Sequence, residues 1–252
     1  MTPPLELSAA AHSYLLAFAD DEHMMGSRHA NWIGLGPFLE EDLAFCSIAQ
    51  DELGHALALY EMLVPANEID RFALLRAPAD YRSCALAELE CATWDLALVR
   101  HWIYDLAEGL RWEALVQSSV EGLAELAVQA EREESFHRSH AQMYMERVVQ
   151  DEEGRRRVDA ALAEIAPHIG TVFAPPEFEN DALEEGVASE SFADLALRWF
   201  NMFEPQAAEF GLTLPALSLE SSLDVRCTRT PGFADFHASL GEVISLDVQA
   251  NW

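Results

Sequence analysis

Two short motifs place a carboxylate and an imidazole three residues apart, Glu52-Leu-Gly-His55 and Glu134-Ser-Phe-His137. On an α-helix that spacing puts both side chains on one face, where they can reach one metal ion. One copy arises easily by chance in a glutamate-rich chain with nine histidines, so the pairing carries the argument. Thirty residues separate Glu22 from Glu52, and twenty-nine separate Asp105 from Glu134. The midpoints fall at Pro37 and between Ser119 and Val120, where helical periodicity breaks. In an antiparallel hairpin, residues equidistant from the turn lie side by side, here roughly 22 Å down each helix at 1.5 Å per residue. Each hairpin then brings one acid level with one E-x-x-H.

Apolar periodicity points the same way. Leu15, Phe18, Glu22, Met25 and His29 share a face of the first helix. Phe38, Phe45, Ile48, Glu52, His55, Leu59 and Met62 share one on the second. Cys91, Trp94, Leu98 and Asp105 follow on the third, and Ala127, Ala130, Glu134, His137, Ala141 and Tyr144 on the fourth. The acids sit in mid-stripe, and burying four unpartnered carboxylates is prohibitively costly unless cations neutralise them. One acid from each of two helices with one E-x-x-H from each of the others is the di-iron or di-manganese carboxylate arrangement. Glu52 and Glu134 would bridge, Glu22 and Asp105 would be terminal ligands, and His55 and His137 would each bind one ion. Two iron ions are the expected cofactor, with manganese suited to the same donors.

Asp20, Asp21 and Glu108 are the acids that a small register error would exchange for Glu22 and Asp105. With the register as read, loss of Glu108 is expected to matter little. Asp51 and Glu133, about 100° round from the ligand face, are placed to hydrogen-bond the imidazole of the opposite motif and so fix its tautomer. His29 and His101 read as packing residues or supports of the ligands, and Cys91 as core.

The elements that must position these residues are helices. The first is expected from about Leu7 to Trp32, ending at Gly34-Leu-Gly-Pro37, and the second from Pro37 to about Leu63, proline suiting its first turn. A looser segment, Pro65 to Tyr81, leads to a third helix over about Ala85 to Gln117. Ser118 and Glu121 form a capping-box pattern that would start the fourth, reaching about Val149. Further helices are expected near 155–167, 190–210 and 232–247, with a Pro-rich loop at 174–179. The reading is an all-α, ferritin-like four-helix bundle (about 7–149) with additional C-terminal helices (about 150–252), together forming a single domain, 1–252.

Composition sets the boundaries of function. The 252 residues carry 44 acids against 15 bases, every base an arginine, for a formal charge of −29. Nucleic acid and anionic membrane require a concentrated positive patch, so neither is an expected partner. No uncharged apolar run approaches the roughly 20 residues that span a bilayer, and Met1-Thr-Pro-Pro-Leu-Glu6 lacks the pattern of a secretory signal. Cys46, Cys84, Cys91 and Cys227 form no CxxC pair or regular framework, which suits a reduced, cytoplasmic interior. No GxGxxG or Walker pattern occurs, so electrons for any redox chemistry must come from another protein. Arg28, Arg71, Arg76 and Arg155-Arg156-Arg157 are the cations left for a phosphorylated ligand.

Gln50-Asp-Glu-Leu-Gly-His55-Ala-Leu-Ala-Leu-Tyr60 and Glu133-Glu-Ser-Phe-His137, with Glu22 upstream of Asn31-Trp32-Ile33, resemble the phenylacetyl-CoA epoxidase family of bacterial multicomponent di-iron monooxygenases. The resemblance covers most of the chain. It implies an oxygenase component acting on an aromatic acyl-CoA such as phenylacetyl-CoA, a separate reductase, and a homologous helical subunit or a second copy as partner in a dimer or larger assembly. In that family a catalytic subunit pairs with a companion that has lost its ligands. This chain has the ligand positions of the first, and a modest length and an end, Gly241 to Trp252, like those of the second. The alternatives are a structural companion subunit and a ferritin-like protein that binds metal without oxygenase activity.

Overall fold

The computed structural model describes residues 5–247, and the described residues are all-α, without a strand. Helix α1 (Ala9–Ala30) starts at Ser8, whose hydroxyl accepts the Ala11 amide and satisfies one orphan donor of the first turn. It ends in a turn where Gly34 takes φ +84° and Asp42 Oδ1 accepts the amides of Gly34 and Gly36. Helix α2 (Leu39–Leu63) follows. Pro37 thus belongs to the turn rather than to the first turn of α2, and Phe38, expected on the buried stripe, is 50% exposed. The connector is more ordered than its prolines suggest, with α3 (Ile69–Leu74) between two 3₁₀ turns.

The third expected helix is broken. A short α4 (Ala85–Glu88) gives way to non-helical chain, and α5 (Trp94–Glu113) begins anew at Thr93, whose hydroxyl accepts the Leu96 amide. The Glu88 carboxylate explains the break, because it bonds the Ser83 hydroxyl, Arg229 and the Thr230 amide and ties this stretch to the C-terminal region. Cys91 is therefore off the helix, half-buried against the core. The Ser118–Glu121 box does not form either. The Ser119 amide and hydroxyl donate to the carbonyls of Gly186 and Glu185, and α6 (Leu123–Val148) starts after Gly122 at φ +77°.

The extension contributes α7 (Glu152–Ile169), α8 (Glu179–Glu184), α9 (Phe192–Glu209), α10 (Leu223–Arg226) and α11 (Phe233–Leu240). Asp151 caps α7 through the Gly154 amide and starts it earlier than expected. The Pro-rich loop runs into the unexpected α8, and the last helix stops at Leu240, short of 247. Residues 248–252 of the tail lie outside the described residues.

Helix α1 packs along α2, and α5 along α6. A Cβ at Gly26 would meet Leu53 Cγ at 2.8 Å and the Ala49 carbonyl at 3.1 Å, so glycine permits the close approach of α1 and α2 between Glu22 and His29. Helices α7 and α9 cover the far side of α5, where Trp199, Phe203 and Trp102 pack ring on ring. Consequently α5 is buried all round from Leu96 to Trp112. Among the described residues, no helix is long and apolar enough to cross a membrane.

Candidate metal centre

Glu22, Glu52, His55, Asp105, Glu134 and His137 are all buried, and α1, α2, α5 and α6 bring them to one level of the bundle. His55 Nδ1 lies 3.2 Å from Glu22 Oε2 and 3.8 Å from Glu134 Oε1, and His137 Nδ1 lies 3.1 Å from Glu134 Oε1. Both imidazoles thus turn Nδ1 into the cluster. Their Nε2 atoms face outward, His55 to Glu133 Oε2 at 2.8 Å and His137 to Asp51 Oδ2 at 3.2 Å. Each outer acid serves the histidine of the other hairpin, stitching α2 to α6.

Glu108, treated in the sequence as a substitute for Asp105, is a member of the cluster in its own right. It is fully buried. Its carboxylate comes within 4.8 Å of donor atoms of Glu22 and His55, and likewise of Glu52 and Asp105, so either group could hold a metal ion and Glu108 belongs to both. Asp105 and Glu108 are three apart on α5, the same spacing that singled out the E-x-x-H motifs, and that was the available signal. The expectation that its loss would matter little assumed one inward acid per helix; α5, buried on every side, turns two inward.

Burial, reinforced by neighbouring carboxylates, holds Glu22, Glu52 and Glu108 well above the usual carboxylate range. Burial works against a charged His137, but Glu134 and Asp51 prevail and push it up to about 12. Glu22 Oε1, Glu52 Oε1 and both oxygens of Asp105, Glu108 and Glu134 make no aligned hydrogen bond, and neither does His137 Nδ1. Orphaned acceptors at this density are costly in a folded protein. A hard cation takes oxygen and imidazole donors together, so the donor set fits a metal.

His29 and His101 touch the cluster as well as packing. His29 Nδ1 is 2.8 Å from Glu52 Oε2, and His101 Nδ1 is 2.7 Å from Asp105 Oδ2. Asp20 and Asp21 are engaged elsewhere, with Tyr60, Arg76, Arg111, Cys84 and Arg226. Two of the arginines left for a phosphorylated ligand are also engaged internally. Arg28 donates to the Glu88 carbonyl beneath Phe236, and Arg76 is held by Asp20 among Tyr60, Phe72 and Tyr81. Arg156 and Arg157 pair with Glu153 and Asp95 at the surface, and Arg71 is exposed.

Fold and site together define an all-helical protein built around a buried acid–imidazole cluster shared by two hairpins. The chain belongs to the phenylacetic acid catabolic protein family, whose model matches residues 2–224. It is similar to one of the subunits of the 1,2-phenylacetyl-CoA epoxidase of Escherichia coli (strain K12), 23% identical over 180 residues that cover 70% of this chain and 73% of that relative.

Proposed function

We propose that the chain is a di-iron oxygenase subunit of a multicomponent monooxygenase that acts in the cytoplasm on an aromatic acyl-CoA such as phenylacetyl-CoA. The observation that carries this reading is the set of orphaned carboxylate oxygens facing two inward Nδ1 atoms. Glu22, Glu52, His55, Asp105, Glu134 and His137 would hold the two ions, and Glu108, common to both donor groups, is suited to being shared between them. Iron, when bound, supplies the redox and oxygen chemistry that no side chain here offers.

The chain's own residues do the positioning. Glu133 and Asp51 fix the ring orientations of His55 and His137, while His29 and His101 contact Glu52 and Asp105. Phe45 packs against the His29 and His101 rings and Trp112 against His55, placing apolar surface beside the imidazoles. Electrons come from a separate reductase. Leu43, Leu53 and Leu57 of α2 and Val128, Phe136 and Met143 of α6 are exposed apolar side chains on the two helices that carry the motifs. They give a homologous helical subunit, or a second copy, an apolar surface to meet.

Anaerobic loading of chelator-free protein with ferrous iron should give about two ions per chain, and Glu52→Ala, Glu134→Ala and Glu108→Ala should each retain far less. Well under one ion in the wild type would overturn the reading. Oxidation of an aromatic acyl-CoA is expected only once a reductase is added, and steady turnover with NAD(P)H alone would contradict the partner. The alternative, a structural companion, predicts a metal-poor chain that still binds a homologous subunit.

A further inference from the structure

Four arginines are buried among the described residues: Arg28, Arg100, Arg111 and Arg226. Three have their charge answered inside the fold. Arg111 and Arg226 meet the Asp21 carboxylate at 2.8 and 2.9 Å and lie over the rings of Phe18 and Phe192. Arg28 stands 3.7 Å over the Phe236 ring, with Nε and Nη2 on the Glu88 carbonyl. Among the described residues Arg100 has neither acid nor ring. It is fully buried, and Nη1 donates to the Leu89 carbonyl at 2.5 Å, while Nε and Nη2 are buried without a partner.

The two open donors form a unit. Nε–H and Nη2–H project in parallel from one edge of the guanidinium, an edge that takes a carboxylate by two bonds. Nη1 is fixed by the Leu89 carbonyl, so the open edge is held in one orientation. A guanidinium does not shed its proton on burial, and a buried charge left without its counter-ion is strongly destabilising. The chain holds 44 acids against 15 bases, yet places none here. Burial first and the Arg100 charge second lower Arg28 to about 10, so a second cation stands within reach of the same unanswered charge. The Leu89 carbonyl belongs to the non-helical stretch between α4 and α5, where Glu90, Ala92 and Thr93 are exposed. Arg100 is therefore tied directly beneath a surface segment outside any helix.

We propose that the Nε–Nη2 edge of Arg100 is a binding site for a small planar oxyanion of carboxylate type, such as formate, acetate or hydrogencarbonate, admitted beneath residues 89–93. Two parallel donors select a planar pair of oxygens, and the buried setting limits the rest of the molecule to a few atoms. The inference does not rest on the metal reading.

Formate titrated into the full, metal-free chain, replacing chloride at constant ionic strength, tests it. In chain carrying nitrogen-labelled arginine, the Nε–H signal of Arg100, identified by through-bond assignment, should shift and saturate. Formate affinity, read by calorimetry, should fall about ten- to a hundredfold in Arg100→Met, the worth of hydrogen bonds to a charged group. Arg71→Gln, which changes an exposed arginine, should bind as the wild type does. In chloride, Arg100→Met should unfold no more readily than the wild type, because it removes an unanswered charge; in formate the wild type should be the more stable. Benzoate carries the same carboxylate on a ring and should not bind. An Arg100 Nε–H signal that does not move, or equal affinity in Arg100→Met and wild type, would overturn the proposal and leave water as the partner of this edge. Benzoate binding as tightly as formate would overturn the assignment to a small anion. Should Arg100→Met fail to fold, the wild-type signal and the benzoate comparison decide.

Discussion

Asp21 and Glu22 are neighbours on α1, both fully buried, and the fold treats them in opposite ways. Asp21 accepts the Cys84 amide at 2.6 Å and Arg226 Nη1 at 2.9 Å, with Arg111 Nη2 at 2.8 Å. Arg226 is fully buried and also donates to the carbonyls of Ala174, Val172 and Arg82, so a residue 205 positions away anchors the C-terminal region against α1. Asp20 is similarly engaged by Tyr60, Arg76 and the Arg82 amide. Glu22 meets His55 with one oxygen and has no hydrogen-bond partner for the other, and Glu52, Asp105, Glu108 and Glu134 likewise keep oxygens without an aligned donor. A charge buried for architecture comes with its counter-ion from the same chain. The second set is left open to a cation from outside.

The sharpest way to break this comparison is to neutralise each neighbour in the metal-free chain. Asp21→Asn leaves Arg111 and Arg226 buried without their acid and should cost about 3–5 kcal/mol of unfolding free energy. Glu22→Gln removes an acid that burial already penalises and should be near neutral or stabilising. Urea unfolding of the two variants checks this, and an equal loss in both would erase the distinction.

Acidity sharpens it further. Glu22, Glu52 and Glu108 have folded values raised above the ordinary 4.5, so the metal-free folded chain holds protons that the unfolded chain releases. Their contribution is fully present below 4.5 and is lost as pH rises through the folded values, at about 1.4 kcal/mol per pH unit for each extra proton held. Bound metal displaces those protons and reverses the penalty. The gain in Tm on adding ferrous iron or manganese should therefore widen steadily between about pH 5 and pH 8. A gain that is flat or shrinks with pH would mean that these carboxyls do not face the ion.

How far the sequence revealed this contrast depends on distance along the chain. Helical type, the two hairpins and the convergence of Glu22, Glu52, His55, Asp105, Glu134 and His137 follow from periodicity and spacing, which are local properties repeated symmetrically about two turns. What stayed hidden depends on partners far away. The break before Thr93 depends on Glu88 binding Arg229 and Thr230, and the unformed Ser118 cap on carbonyls of residues 185 and 186. Glu108 was half legible: its three-residue spacing from Asp105 is local, but the burial of the back of α5 by α7 and α9 is not. The pairing of Asp21 with Arg226 has no local signal at all.

The smallest expected effect concerns the boundary between the two sets, where an acid is half in the cluster and half in solvent. Glu133 and Asp51 keep side-chain exposures of 31% and 40%, and they meet His55 and His137 at 2.8 Å and 3.2 Å. An amide in either place can still accept a ring N–H through its carbonyl oxygen, so Glu133→Gln and Asp51→Asn preserve orientation and remove only the charge that makes the imidazole a stronger donor to metal. Metal affinity should fall at the lower end of the ten- to hundred-fold range seen when such supports are removed, about tenfold or less. The closer, less exposed Glu133 should lose more than Asp51, because exposure to water screens the charge of the latter. Alanine at either position also removes the acceptor and should cost several-fold more than the amide. Titration of ferrous iron or cobalt(II) into the four variants gives the order, and amide variants as damaging as alanine would show that charge rather than ring orientation is what these two acids supply.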